Sequence, residues 1–279
     1  MANPTTIPTV ALHDGVEIPQ LGFGVFQVPP EDTQEAVEEA IAVGYRHIDT
    51  AAAYRNEAGV GAAIAASGLG REEFFLTTKL WNSEQGHDST LAAFEQSLER
   101  LGTERVDLYL IHWPMPSVDL YLDTWRAFER IRGEGGARSI GVSNFRVEDL
   151  ERLREEAELL PTVNQIELHP QLQQGELRAW QDEHGVATEA WSPLAQGALL
   201  DDETIITIAA HHERTPAQAI LRWHLQLGNV VIPKSVTPAR IRENFELFDF
   251  ELSEDDMAAF ARLDAGARTG PDPASFAVK

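Results

Sequence analysis

"FFLTTKLWNSEQGHDSTLAAFEQSLERLGTERVDLYLIH", residues 74–112, contains two apolar runs separated by a helical pattern. The runs at 74–80 and 106–112 are rich in β-branched and aromatic residues, which is typical of strands buried on both faces of a parallel sheet. Between them, apolar residues recur at helical spacing, with Asp88 or Ser89 as the expected N-cap and Gly102 as the stop. The stretch therefore predicts two parallel strands joined by a helix.

The same unit recurs through the chain with no linker and no change in composition. Strand and helix patterns alternate eight times, which is the order of an α/β (β/α)8 TIM barrel, and an open doubly wound sheet is the main alternative. A length of 279 residues suits one such barrel, so a single domain over residues 1–279 is predicted. The strand candidates are residues 21–28, 45–50, 74–80, 106–112, 137–144, 162–168, 186–192 and 229–235.

Three segments lie outside this repeat. "VALHDGVEIP" (10–19) predicts a β-hairpin with Asp14 and Gly15 in its turn, placed at the bottom of the barrel. "ETIITIAAHHER" (203–214) runs into another helical pattern with no strand between, and so predicts an extra helix before the last strand. Residues 265–279 are rich in Gly and Pro, and predict a loop or tail that lies over one end of the barrel.

The composition restricts the classes of partner. Asp and Glu number 45 against 22 Lys and Arg, which gives a formal net charge of −23. This charge repels phosphate backbones and anionic membranes, so neither nucleic acid nor a membrane is an expected partner. The absence of cysteine excludes disulfides and thiolate sites. Neither a signal peptide nor a long apolar run is visible, and a cytoplasmic location is expected.

Polar side chains occur at the carboxyl ends of seven predicted strands. In a barrel, these ends converge on the face that carries active sites. One polar residue at a strand end is explained by capping, but seven such ends on one rim indicate a functional site. The residues are Asp49, Lys79, His112, Ser143 with Asn144, Gln165, Ser192, and Lys234 with Ser235.

Four of the residues near this rim indicate which reaction the site can catalyse. Asp49 and Lys79 end adjacent predicted strands, so each can neutralise a charge that would be costly alone. Tyr54 follows Asp49 after a short alanine-rich loop. A tyrosine has an ordinary pKa of about 10, and a nearby ammonium lowers it by favouring the phenolate. With His112 donating a hydrogen bond, the group suits proton donation to an oxygen that becomes negative, such as that of a ketone accepting hydride.

Seven motifs in this order resemble the aldo-keto reductase superfamily, and the resemblance covers residues 8–265. Each motif alone is moderately specific, but seven at barrel spacing are strongly specific. Within the superfamily, the chain is most similar to the bacterial 2,5-diketo-D-gluconate reductase group, whose members are short-looped monomers, so a monomer is expected. The motifs are "HIDTAAAYRNEAGVG" (47–61), "LTTKLWN" (76–82), "YLIHWP" (109–114), "SIGVSNF" (139–145), "NQIELHP" (164–170), "WSPL" (191–194) and "IPKSVTPARIREN" (232–244).

The resemblance implies NADPH-dependent reduction of aldehydes and ketones, with diketo sugar acids among the expected substrates. It implies that Tyr54 is the general acid and that Lys79, held by Asp49, lowers the pKa of that tyrosine. His112 is implied to orient the substrate carbonyl. The partner is therefore a small carbonyl compound.

The resemblance also implies that NADPH binds extended across the barrel mouth without a Rossmann fold. Lys234 and Arg240 suit a 2′-phosphate, which favours NADP over NAD. Cofactor contacts are implied at Ser143, Asn144, Gln165, Trp191, Ser192, Leu194, Lys234, Ser235, Val236, Arg240, Glu243 and Asn244, and substrate contacts at Phe26, Trp81, His112 and Trp113.

Two other functions stay open. A Schiff-base lyase or aldolase would use Lys79 or Lys234 as its nucleophile, and a non-catalytic barrel would only bind NADP. The adjacent His211 and His212 point in different directions on a helix, so no metal site is predicted. The short loop at 114–125 and the brief tail predict an open, permissive pocket.

Overall fold

The computed structural model describes residues 7–278 and contains the predicted barrel. Eight parallel strands form one sheet, and its two outer strands meet because Leu21 pairs in parallel with Val231. The Gly22 N–H also donates to the Val231 carbonyl at 2.8 Å. The sheet is therefore a closed barrel, not an open doubly wound sheet. In chain order the strands are β1 (Thr9–Ala11), β2 (Glu17–Pro19), β3 (Phe23–Gly24), β4 (His47–Asp49), β5 (Phe75–Leu80), β6 (Val106–Ile111), β7 (Ala137–Ser143), β8 (Val163–Glu167), β9 (Ala187–Trp191) and β10 (Val230–Val231).

Strands β1 and β2 form the predicted hairpin, and β3 to β10 form the barrel. Gly15 in the hairpin turn has a φ of +87°, a conformation that favours glycine. Ile18 is fully buried against residues such as Phe75 and Val230, at the amino ends of barrel strands. The hairpin therefore closes the bottom of the barrel, as predicted.

Helices cover the outside of the barrel. The predicted extra helix is α7, which is followed directly by α8 and then by β10. The helices are α1 (Pro30–Val43), α2 (Glu57–Ala66), α3 (His87–Leu101), α4 (Tyr121–Gly133), α5 (Val147–Glu156), α6 (Gly175–Glu183), α7 (Glu203–His211), α8 (Pro216–Gln226), α9 (Pro238–Glu243) and α10 (Glu254–Ala261).

The start of α3 differs from its prediction. Its N-cap is Gly86, not Asp88 or Ser89. Gly86 has a φ of +116°, which a residue with a side chain rarely adopts. Its N–H is held by the Thr124 side chain at 2.8 Å, a tertiary contact that the local sequence does not reveal. The predicted stop at Gly102 is confirmed.

The carboxyl-terminal tail lies across the barrel mouth. The Thr269 N–H and hydroxyl both donate to Glu167 Oε1 at 2.6 Å. Near the end of the described chain, the Val278 carbonyl accepts a hydrogen bond from the Asn82 side chain at 2.8 Å. The prediction that the tail covers one end of the barrel is confirmed, and the tail makes the mouth less open than the sequence suggested.

The single-domain prediction for residues 1–279 extends past the described range at residues 1–6 and 279, and it stays a prediction. Within residues 7–278, no helix combines the length and the apolar character that crossing a bilayer requires.

Candidate active site

The carboxyl ends of the barrel strands surround a cavity of about 1330 Å³. Strand β4 ends at Asp49, β5 carries Lys79, and His112 directly follows β6. All the predicted site residues except Lys79 line this cavity, and Lys79 lies fully buried behind its wall. The barrel topology has therefore brought together residues that are nearly 200 positions apart in the sequence.

The buried ammonium of Lys79 connects three groups. Its Nζ donates to Asp49 Oδ1 at 2.6 Å and to the Thr50 carbonyl at 2.9 Å, and it lies 3.5 Å from the Tyr54 hydroxyl. The second oxygen of Asp49 accepts from Gln165 Nε2 at 2.8 Å. A buried ion pair is stable only when such additional hydrogen bonds satisfy its remaining polar atoms. The arrangement fixes a positive charge next to the tyrosine oxygen.

The proton affinities of these groups follow from burial and charge together. Burial acts against the charge of Lys79, but Asp49 and Tyr54 outweigh it and hold the pKa of Lys79 above its ordinary value. Burial raises the pKa of Tyr54, and the opposing effect of Lys79 does not bring it below its ordinary value. The predicted effect of Lys79 is confirmed in direction, because its charge and its hydrogen bond both lower the pKa of Tyr54. Burial, which the sequence did not weigh, outweighs this effect and leaves the pKa above its ordinary value. Tyr54 keeps its proton at neutral pH.

His112 is a neutral imidazole. Burial and the charge of Lys79 hold the pKa of His112 well below its ordinary value. Its Nδ1 is buried and has no hydrogen-bond partner among the described residues. Because no acceptor lies near Nδ1, the single ring proton belongs on Nε2. This tautomer offers a donor to a ligand in the cavity, beside the rings of Tyr54 and Trp81, whose centroids lie 5.7 and 5.3 Å from that of His112.

A short 3-10 turn delivers Tyr54 to the rim. The turn covers Ala52–Tyr54 and ends at Arg55, which has a φ of +59°. Asn56 supports it, because its side-chain amide donates to the Val25 carbonyl at 2.9 Å and accepts from the Thr50 hydroxyl at 2.8 Å. Asn56 thus ties the tyrosine loop to β4, a supporting role that the sequence did not indicate.

The predicted nicotinamide residues hold one another at the rim. Asn144 donates to the His112 carbonyl at 2.9 Å and accepts from the Trp191 indole N–H at 2.8 Å. The Ser143 hydroxyl donates to the Gln165 carbonyl at 2.8 Å. The φ of Asn144 is +64°, a strained value of the kind that clusters at functional sites. The neighbouring Ser192 has a similar φ of +47°.

The opposite end of the cavity carries two exposed cations, Lys234 and Arg240. Neither forms an ion pair with another residue between positions 7 and 278, although the chain has a large excess of acidic residues. Glu243, which was predicted to meet the adenine, accepts from the Thr215 hydroxyl at 2.7 Å. The remaining predicted cofactor residues here also line the cavity: Leu194, Ser235, Val236 and Asn244.

Aromatic side chains wall the end of the cavity near Tyr54. The ring of Phe26 lies 5.1 Å from that of Tyr54, between centroids, and the side chain is 51% exposed. Trp113 packs against Phe276 of the tail, and the two ring centroids lie 4.3 Å apart. The sequence did not predict Phe276, because a residue in a Gly- and Pro-rich tail gives no sign of where it folds back.

The sequence also missed two buried carboxylates. Glu167 at the end of β8 anchors the tail, and Glu189 in the middle of β9 lies fully buried in the barrel interior. An acid inside the otherwise small and apolar run "VATEAWS" (186–192) was a usable signal for Glu189.

The two adjacent histidines have no common ligand. His212 Nε2 lies 2.9 Å from Asp256 Oδ2, whereas His211 is exposed. In the part of the chain that the structure describes, no three His, Asp or Glu side chains are arranged to hold a metal ion.

Comparison with known proteins agrees with this geometry. The aldo/keto reductase family model matches residues 20–265. The glyoxal reductase of Bacillus subtilis (strain 168) is 54% identical over 272 residues, which cover 97% of this chain and 98% of the relative. The methylglyoxal reductase DkgA of Yersinia pestis is 53% identical over 274 residues, which cover 98% of each chain. A crystal structure of a Gox0644 mutant in complex with NADPH has a TM-score of 0.94 and 48% identity, and covers 97% of this chain and 99% of that one.

Proposed function

The chain belongs to the aldo/keto reductase family, and we propose that it reduces small aldehydes and ketones with NADPH, using Tyr54 as the general acid. The position of Lys79 carries this proposal, because one buried ammonium contacts both Asp49 and the Tyr54 hydroxyl at the base of the cavity. Such a charge stabilises a phenolate at a position that a reacting carbonyl can reach.

The residues along the cavity fit an extended NADP cofactor. The amides of Asn144 and Gln165 lie near the tyrosine, where they suit the nicotinamide carboxamide. Lys234 and Arg240, without acidic partners among the described residues, suit the 2′-phosphate that distinguishes NADP from NAD. Bound NADPH supplies the hydride that adds to the substrate carbonyl carbon.

Two donors act on the substrate oxygen. The Tyr54 hydroxyl and His112 Nε2–H both point into the cavity, so a carbonyl oxygen between them is polarised before the reduction and stabilised as negative charge develops. Tyr54 then gives its proton to that oxygen. An alkoxide is more basic than a phenolate, so this transfer is favourable even though burial raises the pKa of Tyr54. Lys79 stabilises the phenolate that remains, and Asp49 keeps the lysine charged.

We infer that adjacent dicarbonyls such as glyoxal and methylglyoxal are the preferred substrates. Two relatives at 53% and 54% identity are named for these compounds, and both matches cover nearly the whole chain. The space between Trp113, Phe276 and Tyr54 is closed on one side by the tail, which favours small compounds. Diketo sugar acids, the larger substrates expected from the sequence, are the second class to test.

The other enzymatic function is disfavoured by charge. A Schiff-base lysine must be neutral to attack a carbonyl, whereas Asp49 holds the pKa of Lys79 above its ordinary value against the effect of burial. Lys234 lies exposed at the far end of the cavity, and among the described residues no carboxylate or histidine is hydrogen-bonded to it. A non-catalytic barrel would have no need of the buried Asp49 and Lys79 beneath a tyrosine.

A panel of carbonyl compounds followed by NADPH absorbance tests the function. We expect glyoxal and methylglyoxal to be reduced faster than simple aldehydes, with NADPH preferred over NADH. NADPH binding without any carbonyl reduction would support the non-catalytic barrel. Borohydride trapping of a substrate on the protein would support the lyase. Gel filtration of the same preparation tests the prediction of a monomer.

A further inference from the structure

Glu189 is a buried carboxyl group beneath the rim residues. It lies in the middle of β9, and its side chain is 0% exposed. Its Oε2 accepts from Gln165 Nε2 at 2.9 Å, while its Oε1 has no hydrogen-bond partner among the described residues. The nearest basic side chain is His47, whose Nε2 lies 3.6 Å from that Oε1. A buried carboxylate without a cationic partner is costly, so its protonation state needs a physical cause.

The tautomer of His47 indicates where the proton is. His47 Nδ1 lies 3.4 Å from the Pro19 carbonyl, which can only accept, so Nδ1 carries the ring proton. Its Nε2 lone pair therefore faces the Thr77 hydroxyl at 3.2 Å and Oε1 of Glu189. At 3.6 Å this last contact is too long for a hydrogen bond, but an ionised Glu189 would still place its negative charge against the ring lone pair, which a neutral carboxyl group does not.

Packing fixes the ring of His47, and burial supports the same protonation state. A Cβ at Gly22 would lie 2.6 Å from His47 Nδ1, so the absence of a side chain at Gly22 leaves room for the ring. Burial, with a contribution from Asp49, raises the pKa of Glu189 to about 8. Burial lowers the pKa of His47 to about 4, so at neutral pH the ring is neutral and the carboxyl group keeps its proton.

Gln165 connects Glu189 to the catalytic rim. Both hydrogens of its side-chain amide are used, one by Asp49 Oδ2 at 2.8 Å and one by Glu189 Oε2 at 2.9 Å. These two acceptors fix which end of the amide carries nitrogen, and they leave Oε1 of Gln165 as the atom available to a ligand in the cavity. Asp49 in turn holds Lys79 beside Tyr54.

We propose that Glu189 is a positioning residue for the reduction: its neutral carboxyl group holds the Gln165 amide, and through it Asp49, in the arrangement that keeps Lys79 beside the tyrosine. The inference rests on the proposed function. Ionisation of Glu189 places a second negative charge near Asp49, which disfavours a phenolate on Tyr54 and slows proton donation. The polar groups around Glu189 are His47 and Asp49 from β4, Thr77 and Lys79 from β5, and Gln165 from β8.

The pH profile of kcat/KM for Glu189→Gln tests the role. Glutamine mimics the neutral acid, because its carbonyl can accept from Gln165 and its uncharged amide nitrogen takes the place of the oxygen that faces His47. We expect kcat/KM of the wild type to fall at least about threefold as the pH rises from about 7 to about 9. The reason is that Glu189 ionises over this range and is coupled to Tyr54 through one network. Glu189→Gln should lose this fall. Glu189→Ala should lower kcat at least about tenfold, with glutamine restoring most of it.

A matched control separates this effect from the loss of any buried acid. Glu57 is equally buried but pairs with Arg100 at 2.6 Å on the outside of the barrel. Glu57→Gln should therefore keep the wild-type fall in kcat/KM. A Glu189→Gln profile that superimposes on the wild type, or a Glu57→Gln profile that loses the fall as well, overturns the proposal.

Infrared spectroscopy gives a measurement that does not depend on activity. At neutral pH, the wild type should show the carbonyl stretch of a protonated carboxylic acid, and Glu189→Gln should lack it. Absence of this band in the wild type overturns the proposal. If the band is present but no carbonyl compound is reduced, the proposed function fails while the neutral state of Glu189 stands.

Discussion

Replacing Asp49 by asparagine should destabilise the whole barrel, and the structure allows the size of the effect to be worked out. Asp49 accepts from Lys79 at 2.6 Å and from Gln165 at 2.8 Å, and it is 2% exposed. Both neighbours are donors, so the amide nitrogen of asparagine must face one of them in either orientation. Leaving one charge of a buried pair uncompensated costs about 3–5 kcal/mol. For a chain of this size, the loss corresponds to a fall in Tm of roughly 6–20 °C.

Urea and thermal unfolding, followed by circular dichroism, measure this loss. The control is Glu134→Gln, which removes an ion pair with Arg130 whose side chains are 62% and 54% exposed, and which should cost less than about 1 kcal/mol. The double variant Asp49→Asn with Lys79→Met should lose less stability than the two single changes added together. A loss below about 1 kcal/mol for Asp49→Asn would refute the reasoning, because it would mean that Lys79 carries no buried charge.

Three further predictions concern the cofactor, the tail and acid stability. Arg240→Ala should weaken NADPH about tenfold but leave NADH nearly unchanged in fluorescence titrations, and equal losses would place the 2′-phosphate elsewhere. Glu167→Gln should speed proteolysis of the tail, since Glu167 holds Thr269, and an unchanged cleavage rate would contradict this anchor. The difference in unfolding free energy between the wild type and His47→Gln should fall by about 3 kcal/mol between pH 6.5 and about 4, because unfolded His47 gains a proton there and buried His47 does not; a constant difference would contradict its neutrality.

The barrel could be predicted from the sequence because its information is local and repeated. Each buried strand is a short apolar run in the sequence, and the polar residue at its end indicates the rim of the barrel. The runs containing Asp49 and Lys79 also placed their charges on adjacent strands, and the 2.6 Å contact between them follows from that order.

The remaining features depend on contacts between distant parts of the chain. The N-cap at Gly86 is set by Thr124, and the path of the tail is set by Glu167, neither of which leaves a pattern in the local sequence. The pKa of Tyr54 depends on how far burial outweighs a single ammonium, which residue identities alone do not give. Glu189 did leave a signal, because an acid in the middle of a buried strand requires a partner or a proton.

Single-turnover reduction by Tyr54→Phe, with NADPH already bound, tests the central claim most directly. Removing one hydroxyl that donates the proton should slow reduction of methylglyoxal by about 10²–10⁴-fold, while the Kd for NADPH changes by less than about threefold. Tyr121→Phe, which removes a hydroxyl on α4 outside the cavity, should react like the wild type. A Tyr54→Phe enzyme that keeps more than a tenth of the wild-type rate would contradict the assignment of Tyr54 as the acid.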